Sequence, residues 1–288
     1  MKRVAIGIAT KNCEDTVRET VCSVARQTYP HELMEIIVVD GNSSDKTLSI
    51  VSEVLSRTDI QWQVYSDGGK GLGVARQVVV HEAQADYLVW VDSDVTVPED
   101  HVGTLVEFME RNPGLGGARA MQEIANQTSL IARVENLSLM LKRGPLNVFD
   151  NNGIFRTKAM REVGGFDPHI KGAGEDVDLI MRMMRTGWLF SVSKAKFYHR
   201  LGSWNQIWQK RVRAGYGIHY LKHKHTTLSS PWNHTLPISW LVGVRDSMIA
   251  YRLTRQKASF LIPLLYSLKS VPWFAGFMKS HIDGYGHA

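Results

Sequence analysis

The sequence predicts an α/β fold: a mostly parallel sheet sandwiched by helices, followed by a helical C-terminal extension. Three observations carry this. Short apolar runs alternate with helix-like segments through the first 120 residues. Polar and glycine-rich loops follow each run on the same side of the pattern. From about Ser203 the composition turns basic and aromatic. Strand–helix–strand alternation at this spacing is the signature of parallel strands covered on both faces.

The apolar runs Val4–Ala9, Glu35–Val39, Gln63–Tyr65 and Tyr87–Val91 read as buried strands. The segments Asp15–Gln27, Asp45–Ser56 and Lys70–Ala83 between them read as helices. Further on, Gly153–Arg156 reads as a short strand, Thr157–Val163 as a helix, Gly164–Pro168 as a turn and Gly172–Gly187 as a loop entering a helix. The expected organisation is a catalytic domain over 1–202, with halves 1–120 and 121–202, and a helical region over 203–288. A chain of 288 residues is long enough for such a core with an appendage.

Val4–Ala9 is too short for a secretory h-region and runs into a polar loop, so it reads as a first strand rather than a leader. The Asn-x-Ser/Thr matches at Asn42, Asn126, Asn136 and Asn233 then carry no weight. Two cysteines, Cys13 and Cys22, support neither a zinc site nor a disulfide framework and suit a reducing, cytoplasmic setting.

The net charge of +6 hides an asymmetry. Residues 1–178 hold 18 Lys and Arg against 26 Asp and Glu, whereas residues 179–288 hold 16 against 2. The pattern joins an acidic chemical domain to a basic surface that meets something anionic. No nucleic-acid recognition motif accompanies it, so nucleic acid is not expected as a partner. The apolar stretches Leu236–Tyr251 and Ala258–Met278 are interrupted by Arg245-Asp246 and by Lys269 between Pro263 and Pro272. They fit helices lying in a membrane interface better than spans, at the cytoplasmic face. Packing on the catalytic domain, or a homo-oligomer contact, is the alternative.

In open α/β sheets ligands bind beyond the carboxyl ends of the strands. Four loops fall there in succession: Thr10-Lys11-Asn12, Asp40-Gly41-Asn42-Ser43-Ser44-Asp45, Asp67-Gly68-Gly69-Lys70-Gly71 and Asp92-Ser93-Asp94. Loops are polar in general, but Asp92 and Asp94 directly end a strongly apolar strand. Asp-x-Asp in that place suits Mg²⁺ or Mn²⁺, which bind carboxylates together with substrate phosphates. The carboxylates of Gly174-Glu175-Asp176-Val177-Asp178 have two readings. They favour a helix N-terminus electrostatically, and one of them could act as a general base on a hydroxyl. Gly69-Lys70-Gly71-Leu72-Gly73 lacks the spacing of a dinucleotide fingerprint and follows the third strand.

Over about residues 3–217 the chain resembles family-2 glycosyltransferases of the GT-A (Rossmann-like) fold. The resemblance rests on Thr10-Lys11-Asn12, Gln27-Thr28-Tyr29-Pro30, Val38–Thr47, Gly69-Lys70-Gly71 with Ala75-Arg76, Asp92-Ser93-Asp94 and Gly174-Glu175-Asp176, in that order. It implies an inverting transfer from a UDP- or GDP-linked sugar to a glycan or lipid-linked acceptor of the cell envelope. It implies that Asp40 reads the base beside Thr10, that Asp67, Lys70, Arg76 and Ser93 belong to the nucleotide-sugar pocket, and that Asp92 lies near the ribose. Asp94 becomes the metal ligand, with Asp92 close by and His199 a further candidate. Asp176 becomes the catalytic base and Glu175 its acceptor-contacting neighbour. Processive members carry Gln-x-x-Arg-Trp, whereas this chain has Trp208-Gln209-Lys210-Arg211-Val212-Arg213, so transfer of a single sugar is expected. The basic segment itself could meet a diphosphate, a lipid phosphate or solvent. A nucleotidyltransferase would need a glycine-rich basic loop after the first strand, which Thr10-Lys11-Asn12-Cys13 is not. A degenerate nucleotide-sugar binder would be expected to lack Asp94 or Asp176, and both are present.

Overall fold

The computed structural model describes residues 1–125, 127–141, 152–170, 172–201, 203–225 and 235–285. Asn126 and Asn233 lie outside them. Two compact units emerge: residues 1–123, 144–169 and 175–199, and residues 124–143, 170–174 and 200–288.

The first unit opens with β1 (Val4–Thr10), α1 (Val17–Ala25), β2 (Met34–Asp40), α2 (Thr47–Leu55), β3 (Gln61–Ser66), α3 (Leu72–Glu82) and β4 (Tyr87–Trp90). These match the expected alternation to within two residues at most ends, as is usual for frayed boundaries. Four further elements, the last of them in the second unit, had no clear signature: β5 (Val95–Thr96), α4 (His101–Arg111), β6 (Leu115–Ile124) and α5 (Leu130–Met140). Then come β7 (Gly153–Arg156), α6 (Thr157–Glu162), α7 (Glu175–Arg185) and β8 (Leu189–His199).

Among the described residues these strands form one sheet in the order β3-β2-β1-β4-β7-β6-β8-β5. β3, β2, β1 and β4 pair in parallel, with Thr10 level with Asp40 and Asp40 level with Ser66. The register therefore brings the carboxyl ends of the first three strands to one line. β7 joins β4 antiparallel, with Val89 opposite Ile154, and β5 pairs β8 with Val95 opposite His199.

Period-two alternation decides which helix each side chain meets. Val4, Ile6, Ile8, Ile36 and Val38 pack with Val17, Val21, Val51, Leu55, Leu105 and Met109 of α1, α2 and α4. Ala5, Ile37, Val39, Leu88 and Trp90 face the other way, onto Ala75, Val79, Met160, Leu179, Ile180 and Met183 of α3, α6 and α7. Strands buried on both faces must be apolar throughout, which is why β1, β2 and β4 read as continuous runs.

The second unit holds α5, α8 (Trp204–Lys224), α9 (Leu236–Thr254) and α10 (Ile262–Ile282). Val134 and Leu137 of α5 pack with Ala250, Ile262 and Leu265. Lys269, the charge inside the second apolar stretch, is bonded to Glu135 of α5, so its cost of burial is offset by an opposite charge. The 26 residues Lys257–Ile282 are long and apolar enough to cross a membrane, and 44% of their most apolar window is buried.

Candidate active site

Each loop at the carboxyl edge of the parallel strands is held by its own side chains. Asp40 ends β2 and is buried. Its carboxylate accepts from Thr10 Oγ1 at 3.0 Å, from the Ser43 backbone N–H at 2.8 Å and from Ser43 Oγ at 2.6 Å. These bonds fix the carboxylate at the paired carboxyl ends of β1 and β2, with Thr10 beside it. Asp67 accepts from the backbone N–H groups of Gly69 and Gly71, at 2.7 and 3.0 Å. That turn needs left-handed backbone at Gly68, Gly69 and Gly71, and leaves Lys70 exposed at its tip.

The Asp92-Ser93-Asp94 turn follows β4 directly. Asp92 Oδ1 accepts from Arg76 Nη2 at 2.9 Å, and Asp92 Oδ2 accepts from Asn152 Nδ2 at 2.9 Å. The Asn152 side-chain oxygen in turn accepts the Asp92 backbone N–H at 3.3 Å. Ser93 offers its carbonyl to Thr16 Oγ1 at 2.9 Å. Asp94 Oδ2 lies 3.3 Å from His199 Nε2, because the antiparallel β5–β8 pair sets His199 opposite Val95. Both side chains of this pair keep partial solvent access, so substrate oxygens can reach them.

Arg76 of α3 is only 4% exposed, and its two arms divide between Asp92 and Glu175. Burial by itself would lower the guanidinium pKa. Glu175, Asp92 and Asp176 outweigh it and hold the group above its ordinary value. Trp90 and Phe166 cover the guanidinium at 5.8 and 6.0 Å from their ring centres. Arg76 and Glu175, expected to touch nucleotide and acceptor, are thus engaged with each other. A buried guanidinium and a buried carboxylate each need a partner.

The three carboxylates at the start of α7 part ways. Glu175 points to Arg76, and Asp178 is fully buried and accepts from Arg182 Nε at 2.8 Å. Arg182 also donates to the carbonyls of Val163 and Gly165, so Asp178 belongs to the scaffold. Asp176 is half-buried, with Oδ1 accepting the Val177 N–H at 2.8 Å.

The structure therefore gathers Arg76, Asp92, Glu175 and Asp176 electrostatically, with Asp94 and His199 as an adjoining pair. Thr10 and Asp40 form a separate bonded pair at the β1–β2 edge. Asn152 was missed, since a lone Asn ahead of a strand carries no chemical signature; only the β4–β7 pairing brings it to Asp92. Among the described residues no group of three or more His, Cys, Asp or Glu forms a ready-made metal cage. Mg²⁺ and Mn²⁺ prefer oxygen ligands and commonly bind one or two carboxylates together with substrate phosphates and water, so Asp94 is a donor of suitable chemistry, with the His199 imidazole beside it.

Comparison with known proteins adds an independent line. The profile of "Glycosyl transferase family 2" matches residues 5–159, and that of "Glycosyl transferase family group 2" matches residues 87–278. The chain is 25% identical over 233 residues to a poly-beta-1,6-N-acetyl-D-glucosamine synthase of Staphylococcus epidermidis, covering 74% of this chain and 53% of that protein. It is 26% identical over 238 residues to the probable glycosyltransferase YdaM of Bacillus subtilis, covering 77% of this chain and 56% of that one. The chain thus spans about half the length of the relatives it matches. Among solved structures, the mannosyltransferase PcManGT of Pyrobaculum calidifontis, in complex with GDP-Man and Mn²⁺, superposes with a TM-score of 0.71 at 17% identity. That alignment covers 98% of this chain and 88% of the other. The Staphylococcus aureus TarS 1-349 complex with UDP-GlcNAc superposes at 0.55 and 14% identity, covering 99% and 92%. These superpositions show the shared GT-A fold.

Proposed function

Because the chain belongs to glycosyl transferase family 2, we propose that it transfers a single sugar from a UDP- or GDP-linked donor to a hydroxyl of a glycan or lipid-linked acceptor of the cell envelope, with inversion. The observation that carries this reading is the Arg76 bridge, which joins the Asp92-Ser93-Asp94 turn to the Glu175-Asp176 helix start through bonds to Asp92 and Glu175. It supports placing the leaving group and the attacking hydroxyl within one site.

Asp40 and Thr10 receive the base, and Asp67, through the turn it pins, lines the nucleotide pocket with Lys70 at its rim. Asp92, held by Arg76 and Asn152, faces the ribose with Ser93. Asp94 and His199, with Asp92 beside them, would hold Mn²⁺ or Mg²⁺, which when bound would supply positive charge to offset that gathering on the departing diphosphate. Asp176 takes the proton of the acceptor hydroxyl as its oxygen attacks the anomeric carbon. The carbon–oxygen bond to the diphosphate breaks, and its electron pair leaves with the nucleoside diphosphate. Glu175 fixes the start of α7 through Arg76 next to the acceptor. The missing Arg-Trp pair after Gln209 supports release after one transfer.

The C-terminal helices rest on the cytoplasmic membrane face. Leu241, Met248, Leu253, Phe260, Leu264 and Ile282 are exposed, and the charge of residues 179–288 complements anionic lipid. A donor panel of UDP- and GDP-sugars with Mn²⁺ or Mg²⁺ tests the central reading. Release of nucleoside diphosphate is expected from at least one donor and lost in Asp176→Asn, which still binds nucleotide. Wild-type turnover in that variant would overturn the assigned base.

A further inference from the structure

The strap Gly172-Ala173-Gly174 lies along one stripe of α8. A methyl added at Gly172 would stand 3.0 Å from the Arg213 carbonyl oxygen, and one at Gly174 would stand 2.6 Å from Leu221 Cδ1. In the other direction, a methyl on Gly217 would overlap the Ala173 carbonyl oxygen and lie 2.8 Å from the Ala173 nitrogen. Arg213, Gly217 and Leu221 are four residues apart, so they share one helix face.

Gly217 is an unfavourable choice for a helix interior, since glycine weakens a helix relative to alanine. Its backbone is not left-handed, so no turn demands it. What the missing side chain provides is room for the strap. The strap cannot hold itself, because Gly172 and Gly174 have φ of +93° and +108° and glycine samples many conformations. Its position must come from what it lies on. α8 is in turn gripped on a different face: a methyl at Gly215 would overlap the Trp273 carbonyl oxygen, and one at Gly276 the Val212 carbonyl oxygen.

We infer that Gly217, with Leu221, is a positioning residue for the proposed base: the bare backbone of α8 seats the strap that leads directly into Glu175 and Asp176. This rests on the assignment of Asp176 given above. A displacement near 1 Å at a reacting group costs roughly 100-fold in rate, so the seat matters to turnover well before it matters to nucleotide binding.

The test uses the full chain and three variants, Gly217→Ala, Gly215→Ala and Leu221→Val. Amide hydrogen exchange over residues 172–178 is read first, because it needs no donor. Hydrolysis of GDP-mannose and UDP-N-acetylglucosamine with Mn²⁺, and affinity for GDP and UDP, are read beside it. Gly217→Ala is expected to exchange about 10-fold faster in the strap and to lose about 10- to 100-fold in kcat, with nucleotide affinity within about 2-fold. Gly215→Ala carries a comparable overlap against α10. It is expected to lower the melting temperature while leaving strap exchange within about 2-fold. Unchanged exchange in Gly217→Ala, or equal effects in both glycine variants, would overturn the inference. Should Gly217→Ala not fold, Leu221→Val decides: faster strap exchange supports the seat and unchanged exchange overturns it. Asp176→Asn, assayed in parallel, separates the two questions. Retained hydrolysis there would sink the base assignment and leave the exchange result standing.

Discussion

Arg76 Nη2 donates to Asp92 Oδ1 at 2.9 Å while the other arm of the same guanidinium meets Glu175, so one buried cation serves two carboxylates 83 residues apart in sequence. Charge balance in this pocket depends on that group. Arg76→Met leaves Glu175 buried without its partner, which by the usual cost of halving a buried pair lowers stability by about 3–5 kcal/mol. The double variant Arg76→Met with Glu175→Gln is expected to recover a large part of the loss. Urea unfolding of the two variants checks this. Equal midpoints for single and double variants would contradict the shared-cation account.

The Asp94–His199 pair makes a separate prediction. His199→Ala removes the proposed nitrogen ligand and leaves Asp94 in place. The Mn²⁺ concentration for half-maximal turnover is expected to rise by about 10- to 100-fold, the scale on which ligand-shell changes act. A titration of activity against Mn²⁺ reads it, and an unchanged midpoint would remove His199 from the ion site.

His101, at the start of α4, is 2% exposed and bonds the Lys196 carbonyl through Nδ1 at 2.8 Å. Burial pushes its pKa down to about 4. Because the folded value is depressed below the ordinary value of about 6.5, the unfolded chain takes up the proton first. This contribution to stability is therefore present above about pH 6.5 and is lost as pH falls toward 4. Between pH 7 and pH 5 the loss is about 2 kcal/mol. His101→Gln, which keeps a donor for the Lys196 carbonyl, is expected to flatten that part of the stability curve. Unfolding midpoints at the two pH values test it.

Membrane contact predicts charge- and surface-dependent binding. Leu253→Glu and Phe260→Glu, both at exposed positions, are expected to reduce sedimentation with vesicles containing phosphatidylserine by several-fold. They are expected to leave nucleotide affinity unchanged. Binding equal to wild type would point to another partner for this face.

Much of the fold of residues 1–120 was legible in the sequence because burial on both faces leaves an unmistakable signal. β1, β2 and β4 are apolar at nearly every position, and the polar loops that follow them could only lie at the sheet edge. β6 and β8 were less visible. β6 pairs β7 and β8 pairs β5, both antiparallel and away from the parallel strands, and β8 mixes exposed and buried positions. α5 gave no early sign of its place, since its partners Ala250, Ile262 and Leu265 come more than a hundred residues later.

The sequence by itself determined which residues carry charge and chemistry, and that Asp92-Ser93-Asp94 follows a buried strand. Local periodicity and composition contain that information. Which carboxylates share a cation was decided only by the tertiary structure, because long-range strand pairing and helix packing set those distances. Thus Asp178 turned to Arg182, Glu175 turned to Arg76, and Asp176 kept partial access to solvent. Three acids alike in sequence became different in environment, and environment is what assigns an acid its work.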